Sequence, residues 1–443
     1  MFKQSVTYPC RWLCCYLVAA LALLPAACTT DDDSTGNAAI DGPLTIAVSE
    51  QPWQTENFSI TRSGETLTAL QASGFGLYSE GLGIGNEQVT WSGTKWILAH
   101  TLIWPKTRPN DFYAYAPYTA DPAITSGVYN FSCPNDNTTD LLYSKYEGID
   151  GDAVRLIFRH ALAKLSFGTI ANSSARDMLV SDIKVTGDLY SSGKLTLSTG
   201  AWSEQATASG QTIQIIPNTQ FIYIPPQGEN PVRSSVSPLL IPEPTVTVSY
   251  KVYNERTDFD KLTDDNFHSW NWTKNGVEDV ANATMTSSLD GNYVSRIGTT
   301  VNAGQEVCGT ATVSYLTYAD ISAYDKMIIT GTSGMVVRVL LNRKKVGDGG
   351  GDSYGGGIEV ISAAINEDGY AVVNLSAVST SYGYLHLNAI KVNWGSPSGT
   401  VTKVLLVKTD HPHTVSGTTV LEQGKEKAFH LNVGVNHEVV ISN

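Results

Sequence analysis

From Leu44 to Ser442, Gly, Pro and Asn cut the chain into short alternating apolar runs, and that rhythm constrains its fold more than any other feature. Leu44-Thr45-Ile46-Ala47-Val48 alternates. So do Val154-Arg155-Leu156-Ile157-Phe158, Ile213-Gln214-Ile215 and Val246-Thr247-Val248-Ser249-Tyr250-Lys251-Val252-Tyr253. A period of two sends successive side chains to opposite faces, so each run reads as a half-buried strand. Helical periodicity with caps is hard to find, and the stretch Ala161 to Leu165 is too short to supply it. Charged residues make up only 16%, and 39 Gly and 21 Tyr take their place. That balance favours strands and turns. The expected fold class is all-β, in stacked sandwiches. With 443 residues, roughly two to four domains are expected.

The charge excludes one class of partner. Lys plus Arg is 29 against 42 Asp plus Glu, a net charge of −13 with no basic run. Such a chain repels phosphate backbones, so nucleic acid is not an expected partner.

The first residues read as a targeting segment and take no part in fold reasoning. Lys3 and Arg11 give a positive start, and Leu13 to Ala27 is apolar but too short for a membrane span. It ends in Leu24-Pro25-Ala26-Ala27-Cys28, which resembles a bacterial lipobox, with Pro25 standing where the usual Leu would. The resemblance implies a signal peptide over 1–27 and a lipid on Cys28. It also implies a protein anchored to the outer membrane and exposed at the cell surface. Thr29-Thr30-Asp31-Asp32-Asp33 follows. It resembles the acidic surface-export signal of Bacteroidota lipoproteins, carried by Asp31, Asp32 and Asp33; as plain chemistry it is a solvated acidic linker. Residues 28–42 make an acidic tether. Of six cysteines, Cys10, Cys14, Cys15 and Cys28 belong to this region, which leaves Cys133 and Cys308 far apart in the body. Neither a disulfide framework nor a CxxC zinc pair follows from that spacing.

Several pieces, in order, carry a family resemblance. Ile60-Thr61-Arg62-Ser63 precedes Gly74-Phe75-Gly76-Leu77-Tyr78. Asn110-Asp111-Phe112-Tyr113-Ala114-Tyr115-Ala116-Pro117-Tyr118 follows, then Phe158-Arg159-His160-Ala161-Leu162-Ala163-Lys164-Leu165. Ile222-Tyr223-Ile224-Pro225-Pro226-Gln227, the Val246 to Tyr253 strand, Gly424-Lys425 and a terminal alternating segment, Lys427 to Ser442, complete the set. The chain resembles the fimbrillin superfamily of Bacteroidota, including the Mfa-like proteins. That implies tandem transthyretin-like sandwiches and a role as an adhesin or a tip or accessory pilus subunit. Other subunits would be partners through strand exchange: removing the first strand, Leu44 to Val48, opens a groove that a neighbour's strand fills. In pilus-building members an exposed Arg after that strand is the maturation cleavage site. Arg62 is the residue in that place, and its alternative reading is an ordinary strand-flanking arginine. With Asn443 just past the last strand, a terminal subunit or free adhesin is expected rather than a repeating shaft subunit. The aromatics of 110–118 read as core and edge residues, and His160, among apolar neighbours, as a satisfied core or hinge histidine rather than a catalytic base.

The resemblance breaks after Tyr253. Segment 255–408 is domain-sized, where ordinary fimbrillins have a short connection. It resembles a jelly-roll module of Bacteroides surface proteins that is also found beside glycoside hydrolases. The matching residues are Thr263 to Trp270, Tyr318 to Lys326, Arg338 to Arg343 and Gly383 to Gly395. The expected organisation is 43–168 as a first sandwich, 169–254 with 409–443 as a second, and 255–408 as an inserted β-jelly-roll. Such modules stack aromatic rings on sugars while amides and guanidinium groups take the hydroxyls. Trp270, Trp272, Tyr293, Asn342, Arg343 and Trp394 offer that chemistry towards host or dietary glycans. The opposing reading makes Trp270 and Trp394 core residues. In Gly347 to Gly357, Asp348 and Asp352 could hold calcium, but two carboxylates are a sparse set and glycines also simply make long loops. Apart from that pair no metal is expected, nor any cofactor.

No GxSxG elbow and no HExxH occurs, and His411 and His413 flank a proline without a third zinc ligand. Nothing points to a catalytic residue, and an enzyme is not expected. The alternatives to the adhesin are a glycan-binding lipoprotein of a polysaccharide-utilisation system and a glycan-processing enzyme.

Overall fold

The structure is a computed structural model. It describes residues 42–54, 63–104, 109–120, 124–148, 153–253, 273–274, 277–278, 283–288, 291–296, 306–309, 319–320, 324–342, 358–377, 386–409, 411–434 and 437–442. The architecture is almost entirely β.

The alternating runs form strands where their period predicts them. Val154–His160 alternates strictly between buried and exposed positions, and Thr245–Tyr253 does nearly the same. The first module is a seven-stranded sheet. Its order is Ile46–Glu50, Val154–His160, Leu142–Gly148, Asn110–Ala116, Phe75–Ser79, Ile84–Trp91 and Trp96–Leu98. Phe75, Phe112, Leu156 and Phe158 fill its core. Phe112 and Tyr115 are fully buried, as aromatics of a central strand should be.

One helix, Ser63–Ser73, closes part of this core and was not legible in the sequence. Among its residues 67–73, whose burial is described, Leu70 alone is fully buried, with Leu67 packed beside it. Two apolar side chains make too sparse a stripe to show a 3.6-residue period. Gly74 ends the helix at φ +69°, donating its N–H to Leu70 O at 2.8 Å, the left-handed cap that glycine favours.

The second module packs two sheets around Ile183, Val246, Tyr250, Phe429 and their neighbours. In one sheet Ala163–Asn172 runs parallel to Glu426–Val433, which pairs with Glu438–Ser442. In the other, the long strand Met178–Thr196 pairs with Ala201–Ile216, Ile222–Ile224, Thr245–Tyr253 and Val128–Ser132. The boundary at 168 falls inside Ala163–Asn172, whose pairing lies wholly in the second module, so the chain crosses at Ala161-Leu162. The terminal stretch 427–442 is a hairpin rather than one strand. Gly434, at φ +122°, sits too close to the Ser173–Ser174 backbone for any side chain, and the chain turns back after it.

The two modules share a joint. Strand Val128–Ser132 leaves the first module's segment to pair with residues 192–196 of the long strand. Around it Tyr115, Leu141, Leu162, Leu195 and Ile241 pack with Cys133. The Trp202 indole N–H donates to Ala161 O at 2.9 Å across the same joint. Burial pushes the Cys133 thiol up to about 11, so it behaves as a small apolar side chain rather than a nucleophile.

The strand ending at Tyr253 pairs with the strand starting at His413, with Val252 opposite His413. Everything between them therefore leaves and returns at one sheet edge. Beside the two-stranded pair Thr273–Lys274 with Val277–Glu278, the described residues of the intervening chain make two larger sheets. One has the order Ala283–Ser288, Gly291–Arg296, Val401–Val407, Lys326–Gly331 and Tyr370–Asn374. The other has Glu306–Gly309, His386–Val392, Val336–Asn342 and Ile358–Ala364. Met327, Ile329, Val337, Val339, Ile390 and Leu406 form the core between them.

Phe429 is fully buried and stacks on Phe167 at 5.1 Å with a 24° interplanar angle. Phe429→Ala should cost about 3–5 kcal/mol through the cavity it leaves. In denaturant titration the midpoint should fall with an unchanged slope.

Candidate assembly and binding surfaces

The first candidate surface is the edge that Ile46–Glu50 occupies. This strand pairs in parallel with Val154–Phe158, Ile46 opposite Val154 and Glu50 opposite Phe158. Ile46 and Val48 pack on the first module's core. The main chain continues the pairing at both ends. Leu44 N–H donates to Leu102 O at 2.8 Å, and Gln51 N–H to Phe158 O at 2.8 Å. Gln54 then reaches the second module, donating to Gly424 O at 3.0 Å and accepting from Glu426 N–H at 3.2 Å. Residues 44–54 therefore staple the edges of two modules with backbone bonds, which need no particular side chains.

Side chains set the key. Trp53 stacks on His160 at 3.7 Å and 15°. His160 is almost fully buried, and its Nδ1 lies 2.6 Å from Asp140 Oδ2. The carboxylate can only accept, so Nδ1 carries the hydrogen. The ring's Nε2 has no hydrogen-bond partner. The hinge-histidine expectation thus places His160 at the junction, but sequence reasoning missed Trp53, Asp140 and Glu50 around it. Their only signal was position: a Pro-Trp step directly after an alternating strand. Burial pushes the Glu50 carboxyl above the ordinary carboxylate range, against the opposing pull of the Leu67 backbone and His160. Cavities flank the staple. One of about 460 Å³ is lined by Gln51, Gln54, Tyr143, Arg159 and Gln423. One of about 520 Å³ is lined by Trp53, Leu70, Pro117, Asp140 and Lys164.

The second candidate surface is on the inserted segment. Trp394 is 74% exposed, so the core reading of this tryptophan is overturned. Its turn is held by hydrogen bonds: Asn393 N–H to Val336 O at 2.8 Å, Ser396 N–H to Asn393 O at 3.2 Å, and Val336 N–H to Ser396 Oγ at 2.9 Å. Gly395 at φ +83° completes it. The other glycan candidates do not gather there. Asn342 lies at the opposite end of Val336–Asn342, opposite Ile358 and His386, roughly 20 Å along the strand from the Trp394 turn. Tyr293 pairs with Leu405 in the other sheet. Trp270, Trp272, Arg343, Asp348 and Asp352 lie outside the described residues, as do Cys28, Asp31, Asp32, Asp33 and Arg62. Among the described residues no group of three His, Cys, Asp or Glu side chains could hold a metal ion.

Comparison with known families bears on the first surface. The fimbrillin-like family model matches residues 45–312, from the stapled strand into the inserted segment. The chain belongs to the fimbrillin-like family. Three solved structures illustrate its neighbours. A protein from Bacteroides ovatus assigned to cell adhesion shares 16% identity over 48% of this chain and 83% of its own, with a TM-score of 0.34. A second such protein, from Parabacteroides distasonis, shares 8% over 48% and 76%, with a TM-score of 0.34. The fimbrial anchor protein Mfa2 from Porphyromonas gingivalis shares 12% over 47% and 78%, with a TM-score of 0.23. Among curated proteins none matches.

In this fimbrillin-like chain Glu50 offers a check on the staple. Its raised folded-state pKa means the protonated form fits the site. The stability this gives is full below the unfolded-state pKa and is lost as pH rises through the folded one. Glu50→Gln should therefore melt above wild type at neutral pH. The gap should close on acidification, when wild-type Glu50 is itself neutral; paired thermal scans across pH measure it.

Proposed function

We propose that this protein is a cell-surface fimbrial subunit or adhesin that uses its stapled N-terminal strand as a replaceable element of assembly. The observation that carries the reading is the run of main-chain hydrogen bonds from Leu44 to Gln54, which seals the edges of both modules without leaving one sequence direction. A neighbouring subunit's extended strand could make the same bonds, because backbone pairing is general and only alternate side chains select. Arg62 is the proposed cleavage point that would release the strand. The fimbrillin-like membership supports association with other pilus subunits and a place at the cell surface or in a fimbrium.

The lipid anchor at Cys28 and export through Asp31 to Asp33 belong to the same proposal. Among the described residues no helix is long and apolar enough to cross a membrane. Cys28→Ser should move the protein from the membrane fraction to the soluble one, since a lipid would be its attachment. Whole-cell protease shaving should remove the wild type. Wild type that resists shaving on intact cells, or Cys28→Ser that stays with membranes, would show the anchoring scheme to be wrong.

Glycan recognition is a second reading, and the exposed Trp394 on its hydrogen-bonded turn favours it. Aromatic rings held out by rigid turns stack on sugar faces. Trp394→Ala should weaken glycan binding by roughly 1–3 kcal/mol. It should leave the melting temperature nearly unchanged, because exposed substitutions rarely exceed about 0.5 kcal/mol. Isothermal titration and thermal scans on the same variant decide it. Unchanged affinity for every glycan that wild type binds would remove Trp394 from the site.

A further inference from the structure

We infer that the segment between Tyr253 and His413 is not a tethered appendage but is welded to the second module, so that the two unfold as one unit and hold one orientation. The starting point is a sheet buried on both faces. In Lys326–Gly331, Met327 and Ile329 point into the segment's own core while Ile328 points the other way. Ala371 and Val373 alternate with Tyr370 and Val372 in the same manner, and Val404 and Leu406 with Leu405 and Val407. The outward set packs against Leu179, Phe221, Tyr223 and Tyr253 of the second module. This explains a feature of the sequence. Met327-Ile328-Ile329 and Val404-Leu405-Leu406-Val407 are unbroken apolar runs, the signature of strands covered on both sides.

Polar groups fix the register of this contact. Asp177 of the second module is 7% exposed. It accepts the Tyr223 hydroxyl at 2.6 Å and the Lys403 ammonium at 2.9 and 3.1 Å. Burial and the Asp177 charge push the Tyr223 phenol far above its usual range, so it stays a donor at any working pH. Tyr370 meets Tyr223 edge-on at 5.6 Å, and Lys326 Nζ lies 5.2 Å over the Phe221 ring. Further out, Arg233 forks onto Asp368 at 2.7 to 3.2 Å and reaches Glu367 at 2.7 Å. The segment is also tied covalently at two neighbouring points, since Val252 pairs with His413 in the second module. An ion pair and a neutral donor meeting on one buried carboxylate disfavour sliding or hinging of an otherwise oily contact. It also takes one sheet face of the segment out of reach of any ligand. Binding must then use the other sheet or the turns, such as that of Trp394.

The test places a defect far from the contact and asks whether it is felt across it. Val339 is fully buried in the segment's own core, on the sheet that supplies none of the described residues of that contact. Temperature-ramped hydrogen exchange would follow two sets of peptides in the full chain: 326–331 with 401–407, and 178–185 with 245–253. In wild type both sets should lose protection at one midpoint. Val339→Ala should lower both midpoints together, by about 2–4 °C per kcal/mol of lost stability. Ile390→Val serves if Val339→Ala fails to fold. In a Lys403→Met background, where Asp177 loses the Lys403 ammonium, the Val339→Ala effect should retreat to the segment's own peptides. Two separate midpoints in wild type, or a Val339→Ala effect confined to 326–407 from the outset, would overturn the weld.

Discussion

A sheet edge that has to be covered is the constraint around which this molecule is organised. Val154–His160 presents its N–H and C=O groups along the rim of the first module, and without a partner that rim would invite association with any extended chain. The protein covers it with its own Ile46–Glu50 in parallel pairing. Parallel pairing needs a long connection, and here nearly the whole first module lies between the two strands. The covering strand is thus held by its own bonds and apolar pegs, not by a tight hairpin.

The covering segment also serves the joint. Trp53 lies on the His160 ring, Asp140 orients that ring, and Gln54 bonds to the Gly424–Glu426 edge. One short stretch therefore closes one module and tethers it to the next. The long strand Met178–Thr196 does the complementary work from the other side, pairing with Val128–Ser132 of the first segment and Thr245–Tyr253 of the second. At the far end Asp177, just before that strand, receives Lys403. A single strand and its flank thus link the first module, the second and the inserted sheets.

Much of the fold was legible in the sequence because strand periodicity is a local signal. Val154 to Phe158 and Val246 to Tyr253 appear where the alternation placed them, and the Pro-rich stretch 238–244 holds only the two-residue strand Leu239–Leu240. The helix Ser63–Ser73 escaped because one fully buried leucine cannot show a period. The terminal hairpin escaped because both of its arms alternate, while the first arm ends at Gly434, whose φ is positive. The candidate sites were harder to read. The His160 cluster gathers residues 53, 140 and 160 from three separate stretches, and no sequence spacing encodes that meeting. The glycan candidates looked clustered by type. The strand register sets Asn342 and the Trp394 turn at opposite ends of one sheet, and Tyr293 on another sheet.

The most direct measurement of the replaceable-strand account is an exchange experiment on the full chain. A protease site placed within 55–62 would be cut after folding, and a labelled peptide of residues 42–54 added in excess. The account predicts that the labelled peptide takes the place of the cut fragment and keeps the melting temperature of the uncut protein. A peptide carrying Val48→Pro should fail, because proline removes a ladder N–H at a paired position. A cut protein that sheds its fragment, keeps its full melting temperature and takes up neither peptide would contradict it.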